Sequence, residues 1–196
     1  MDDREIEGVL DFLRGAERLK ETLRSAHGTR GRQESTAEHS WRLALMAMVL
    51  ARGLAPVDLL RVLKLCLVHD LGEALHGDIP APQQRPGGKA EAERRDLATL
   101  AAPLPPAERA EILALWEEYE AGTTREAMLV KGLDKLETLL QHSQGLNPPG
   151  FDYGFNLGYG RDRTGADPLL ARLRALLDAA TRARMAEPPP LASPPA

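Results

Sequence analysis

Apolar residues along this chain recur at spacings of three and four, few stretches alternate, and β-branched residues are sparse, so the periodic segments read as helices. The first is expected from about Asp3 to Leu23, with Ile6, Val9, Leu10 and Leu13 on one face. The polar, glycine-rich segment HGTRGRQES then reads as a loop. Ser35 or Thr36 can cap the next helix, because a hydroxyl satisfies the free N–H groups of a first turn. That helix, about Thr36 to Gly53, is apolar nearly all round at LALMAMVLA and is expected to be central. Pro56 and Asp58 open a third helix carrying VLKLCLVHDLGEAL, which Gly77 and Asp78 break. After the loop IPAPQQRPGG, Lys89 to Leu100 reads as a charged amphipathic helix. Pro105 and Pro106 open another, ending at about Glu120, and Thr123 or Thr124 caps the helix with MLVKGLDKLETLLQH. Pro148 to Gly165, rich in glycine and aromatics, is expected to be a long ordered loop. Asp167-Pro168 restarts a helix to about Met185. The prediction is an all-α fold of about six to eight helices in one domain over residues 1–185. The proline-rich tail, 186–196, has no apolar periodicity and is expected to be disordered.

Length and charge narrow the function classes. A chain of 196 residues can bury a core of its own. A net charge of −4 and a pI near 5.8 argue against a general nucleic-acid binder, which would show a basic face. They leave room for a small phosphorylated substrate in a locally basic pocket. The one cysteine, Cys66, excludes a disulfide within the chain and, inside the apolar run LKLCLVHD, reads as a buried, inert thiol. The acidic start MDDREIEGVL has no signal-peptide pattern, and no apolar run reaches the roughly 18 residues of a membrane span. A cytoplasmic location is expected.

The chemistry gathers around the histidines. His69 is followed at once by Asp70, and Glu73 lies four and three residues further on, which on one helix would share their face. The residues around them, Leu65, Cys66, Leu67, Val68 and Leu71, are apolar, and ionisable groups in such a setting need a partner or a metal. A lone His-Asp pair on a helix is common without metal. His39, early in the apolar central helix, and Asp134, flanked by Leu133 and Leu136 in another apolar helix, strengthen the case. Two imidazoles and two carboxylates suit Mn, Co, Fe or Zn better than Ca, and they leave coordination positions open for catalysis.

His39, His69-Asp70 and Asp134 resemble the H…HD…D signature of the HD-domain superfamily of metal-dependent phosphohydrolases. The stretches ESTAEHSWRLALMAMVLA, LKLCLVHDLGEALHGDIPAP, LWEEYEAGTTREA and LVKGLDKLE are similar to those of the HD-domain 5′-deoxynucleotidases, over roughly residues 10 to 145. The resemblance implies a helical fold around a central metal, with His39, His69, Asp70 and Asp134 as ligands of a divalent ion (Mn, Co, Fe, Mg or Zn). It implies catalytic roles for Glu73, which would orient or deprotonate the attacking water, and for Asp78, which would protonate the leaving 5′-oxygen or hold the ribose. Arg24 falls where the family places a phosphate-binding arginine, and its guanidinium fork suits that role. A solvated helix-end arginine is the alternative. The family usually carries a tryptophan shortly after that arginine; His27 stands there in this chain, and the following GTRGRQ is shorter.

Two further residues are substrate-binding candidates. His76 could reach the phosphate or serve as a surface or capping group. Lys131, a turn before Asp134, could neutralise phosphate or pair with a nearby acid. Trp41, Trp116 and Tyr119 read as core or interface, His142 as structural, and Phe151, Tyr153, Phe155 and Tyr159 as ordinary packing. The expected reaction is removal of the 5′-phosphate from deoxynucleoside 5′-monophosphates, with a nucleotide as the small-molecule partner. The alternatives are an HD-type phosphodiesterase and a non-catalytic nucleotide-binding regulatory domain; the sequence shows no second histidine cluster for the former. The resemblance also suggests a homodimer, for which the Lys89–Leu100 helix could serve.

Overall fold

The computed structural model describes residues 1–54, 56–77, 89–165 and 167–186. Asp78 and the tail at 187–196 lie outside them. Three helices make the centre: α2 (Thr36–Leu54), α3 (Leu59–Val68) and α7 (Arg125–Gln144), each packed against the other two. Their meeting faces bury Leu43, Ala47, Val62, Leu65, Leu133 and Leu136 almost completely. Each large aliphatic side chain removed from water contributes about 1.5–3 kcal/mol, so this junction is a firm support for whatever polar groups it carries. Asp58 caps α3 through the Arg61 N–H, and Thr124 caps α7 through the Ala127 N–H.

Around this core lie α1 (Asp3–Ala16), α5 (Lys89–Ala101), α6 (Pro106–Ala121) and α10 (Pro168–Ala186). Among the described residues, seven helices have ten residues or more, so the architecture is all-α as expected. Asp2 and Glu5 form a capping box at the start of α1, and left-handed Gly122 ends α6. The apolar face of α5 is spent inside the chain, with Leu97, Leu100 and Ala101 buried.

The structure corrects the sequence reading in three places. The first helix stops at Ala16, continues as a 3-10 turn (Glu17–Lys20), and gives way to β1 (Leu23–His27). β1 pairs antiparallel with β2 (Gln33–Ser35), so HGTRGRQES is a hairpin rather than a loop, closed where the Gly28 N–H donates to the Arg32 carbonyl. Gly31, at φ 80°, supplies the left-handed turn residue. The third helix is interrupted: α3 ends at Val68, and residues 69–72 form a tight turn before the short α4 (Glu73–His76). The Leu71, Glu73 and Ala74 N–H groups bond to carbonyls three residues back, tightening the backbone there. Finally, the expected loop at Pro148–Gly165 contains α8 (Tyr153–Gly158) and α9 (Arg161–Thr164), α8 being capped by Asp152.

Candidate metal centre

The polar exceptions to the apolar junction lie together. His39, in the first turn of α2, is fully buried. Its Nδ1–H donates to Glu137 Oε2, which turns Nε2 toward Asp134 Oδ1 at 3.2 Å and Asp70 Oδ2 at 3.8 Å. His69, just past the end of α3, donates Nδ1–H to the Cys66 carbonyl at 2.9 Å, which brings its Nε2 within 3.1 Å of Asp70 Oδ2. His39, His69 and Asp70 thus each offer a ligand atom within 4.8 Å of the others. His39 Nε2, His69 Nε2 and Asp70 Oδ2 are also buried without a well-aligned hydrogen-bond partner. Each such group left unsatisfied costs about 1–3 kcal/mol, and a divalent cation among them would remove that cost. The donor set, two imidazoles and two carboxylates, fits such an ion.

Asp134, on α7, is oriented by its other oxygen. Oδ2 accepts from Lys135 Nζ at 2.8 Å and from the Tyr119 hydroxyl at 3.1 Å, leaving Oδ1 toward His39. Burial opposes ionisation of Asp134, but Lys135, His39 and His69 outweigh it and hold the carboxyl well below its ordinary range. Asp70 is held low in the same way, with burial overcome by His69, His39 and Arg24. Burial and Arg24 push His39 toward its neutral form, yet Glu137 and Asp134 prevail and raise it to about 9. Behind His39, Glu137 also accepts from Arg42 Nε at 2.6 Å. Burial and the Glu137 charge push Glu34 up to about 7. Glu34, His39 and Glu137 also lie close together, but the His39 nitrogen on that side is the one bonded to Glu137.

Arg24 reaches the cluster from β1. Its Nη2 donates to Thr138 Oγ1 at 3.1 Å, and its Nη1 lies 3.5 Å from Asp70 Oδ2. Glu73, 2% exposed, accepts from the Thr36 hydroxyl at 3.3 Å and from Lys89 Nζ at 3.2 Å. The remaining candidates stand apart. His76 is 79% exposed at its side chain and pairs with Asp96. Lys131, three residues before Asp134, pairs with Glu120 at 3.5 Å and lies 4.1 Å over the Tyr119 ring. Cys66 is fully buried, and burial followed by the Asp134 charge pushes its thiol up to about 12.

The sequence reading missed Glu137, Lys135, Tyr119 and Lys89. Glu137 had a signal, since it lies three residues after Asp134 on the same helix and is flanked by Leu136 and Leu139. His142 bonds Asn156 Oδ1 at 2.9 Å, and Trp41, read as core or interface, is 63% exposed and so not part of the core.

Comparison with known proteins shows the family. A family model for the HD domain matches residues 16–171. The chain is 38% identical over 142 residues to 5′-deoxynucleotidase HDDC2 of Mus musculus, covering 70% of this chain and 69% of that protein. It is 34% identical over 141 residues to 5′-deoxynucleotidase HDDC2 of Dictyostelium discoideum, covering 67% and 74%. Among solved structures, a predicted metal-dependent phosphohydrolase from Magnetospirillum magnetotacticum superposes with a TM-score of 0.80 at 34% identity, over 95% of this chain and all of that one. With α2, α7 and the turn after α3 bringing His39, His69 and Asp70 together and Asp134 beside His39, and with the family model spanning most of the chain, this protein belongs to the HD-domain family.

Proposed function

We propose that this protein is a metal-dependent 5′-deoxynucleotidase, releasing phosphate from deoxynucleoside 5′-monophosphates. The observation that carries the reading is the convergence of three unsatisfied ligand atoms, on His39, His69 and Asp70, beside Asp134 Oδ1 and the guanidinium of Arg24. Relatives named 5′-deoxynucleotidase supply the substrate class.

In this reading His39, His69, Asp70 and Asp134 hold one divalent ion. When bound, that ion lends Lewis acidity to the attacking water and to the phosphoryl oxygens. The remaining work is positioning and charge stabilisation, as phosphoryl transfer requires. Arg24, fixed by Thr138 and facing Asp70, binds the phosphate on the open side of the cluster. Glu73, held by Thr36 and Lys89, orients the water and takes its proton. Asp78, outside the described residues but five positions beyond Glu73, is assigned the proton delivered to the leaving 5′-oxygen. His76 and Lys131, paired with Asp96 and Glu120, are left out of the substrate contacts.

The test is phosphate release from a panel of deoxy- and ribonucleoside 5′-monophosphates, using metal-stripped protein resupplied with Mn, Co, Fe, Mg or Zn. Release from the deoxynucleotides, restored by metal and absent in Asp70→Ala, is expected. No release with any metal, from a wild type that demonstrably binds one, would overturn the assignment.

A further inference from the structure

α5 brings a second charged element to the site. Lys89, the first residue of that helix, places Nζ 3.2 Å from Glu73 Oε1 and 3.1 Å from Glu93 Oε1, one turn along the same helix. The lysine side chain is three-quarters buried and Glu73 almost wholly so. An ammonium drawn that far from water is retained only where carboxylates compensate it. The carboxylates of Glu73 and Glu93, and more remotely Asp70, do so and raise the lysine pKa against the effect of burial.

The approach of α5 is built into the turn that carries the ligands. A Cβ on Gly72 would lie 2.8 Å from both the Cβ and the carbonyl oxygen of Glu93, so only glycine lets α5 come this close. Gly72 sits between Asp70 and Glu73. Gly72 lies in the tight turn after α3, and the Lys89–Glu93 pair is seated against it.

We infer that Lys89 is a positioning residue for the hydrolysis. Braced by Glu93, its ammonium holds the Glu73 carboxylate in one orientation toward the water. Thr36, from the first turn of α2, holds the other oxygen. Glu73 is thereby clamped between the helix that carries His39 and a helix that carries no metal ligand. The inference deepens the nucleotidase reading and rests on it for the role of Glu73.

The experiment is a double-mutant cycle on the full chain: wild type, Lys89→Met, Glu73→Gln and the double variant, with Lys89→Arg as the conservative control. In the loaded enzyme, Lys89→Met is expected to lower kcat about 10- to 100-fold, the usual effect of losing an outer-shell partner. KM and metal occupancy should hold near wild-type values, and Lys89→Arg should recover most of the loss. On the Glu73→Gln background the Lys89→Met change should have little further effect on kcat, because its route is through Glu73. Multiplying effects, or an unchanged kcat in Lys89→Met, would overturn the inference while leaving the nucleotidase assignment in place. Should the wild type release no phosphate, that assignment falls, and the pairing is judged on thermal unfolding of the same metal-free proteins. Coupled Tm shifts then support the pairing of Lys89 with Glu73, and additive shifts overturn it.

Discussion

Replacing Glu137 by Gln keeps the volume behind His39 and removes the charge. The carboxylate accepts from two donors, His39 Nδ1–H on one oxygen and Arg42 Nε–H on the other at 2.6 Å. A glutamine offers one acceptor oxygen and an amide N–H₂, so one donor must face another donor in a fully buried place. Two consequences follow for His39: its ring is no longer held with Nε2 toward Asp134 and Asp70, and its imidazole becomes a poorer base. Loss of such an outer-shell partner weakens a metal site about 10- to 100-fold, or about 1.4–2.8 kcal/mol at tenfold per 1.4 kcal/mol. Metal-free stability should fall as well, by about 1–3 kcal/mol, the cost of one unsatisfied buried group, with Arg42 keeping Glu34 at 3.8 Å. Titration calorimetry of metal-stripped wild type and Glu137→Gln with Mn²⁺ reads the first effect, and circular dichroism confirms that the variant is folded. A folded variant with wild-type Mn²⁺ affinity would show that Glu137 does not support the ligand and would refute the reasoning.

Other expectations follow from the same geometry. Because His39 is raised from 6.5 to about 9 without metal and must be neutral to ligate, metal binding should release a proton near pH 7. Affinity should rise about tenfold per pH unit up to about pH 9, with the His39 contribution to metal-free stability full below 6.5 and lost as pH rises through about 9; calorimetry in buffers of different ionisation enthalpy measures the proton directly, and a pH-independent affinity would contradict it. Gly72→Ala forces a Cβ to within 2.8 Å of Glu93 and should cost about 1–3 kcal/mol in denaturant unfolding as α5 is displaced; a wild-type midpoint would refute the close approach. Tyr119→Phe deletes the hydroxyl on Asp134 Oδ2 and should cost about 0.5–1.5 kcal/mol of stability, with weaker metal binding. Cys66, buried and with its thiol pushed up to about 12, should resist a thiol reagent until the chain is denatured.

The helices were legible because their apolar spacing and their caps agree. Asp58 and Thr124 cap where the sequence places them, and α2, α5, α6, α7 and α10 begin and end within a few residues of expectation. The ligand candidates were legible because a charged or imidazole side chain inside LKLCLVHD or LVKGLDKLE contradicts its surroundings. The hairpin was not, because Leu23–His27 is short and its pairing is set by Gly31 and by contact with α7 rather than by alternation. The break after Val68 was hidden because HDLGEAL keeps a helical pattern, while the turn is tightened by bonds to carbonyls three residues back and Gly72 meets α5. Lys135 and Lys89 escaped for a different reason. Each acts on another side chain across an interhelical contact or from a neighbouring position, and spacing along one helix does not say which charged residue will face the core.

Anomalous diffraction from crystals grown with Mn²⁺ tests the account most directly. It predicts one strong peak bounded by His39 Nε2, His69 Nε2 and carboxylate oxygens of Asp70 and Asp134, lost in Asp70→Ala. A protein saturated with Mn²⁺ whose peak lies elsewhere, or survives that substitution undiminished, would contradict it.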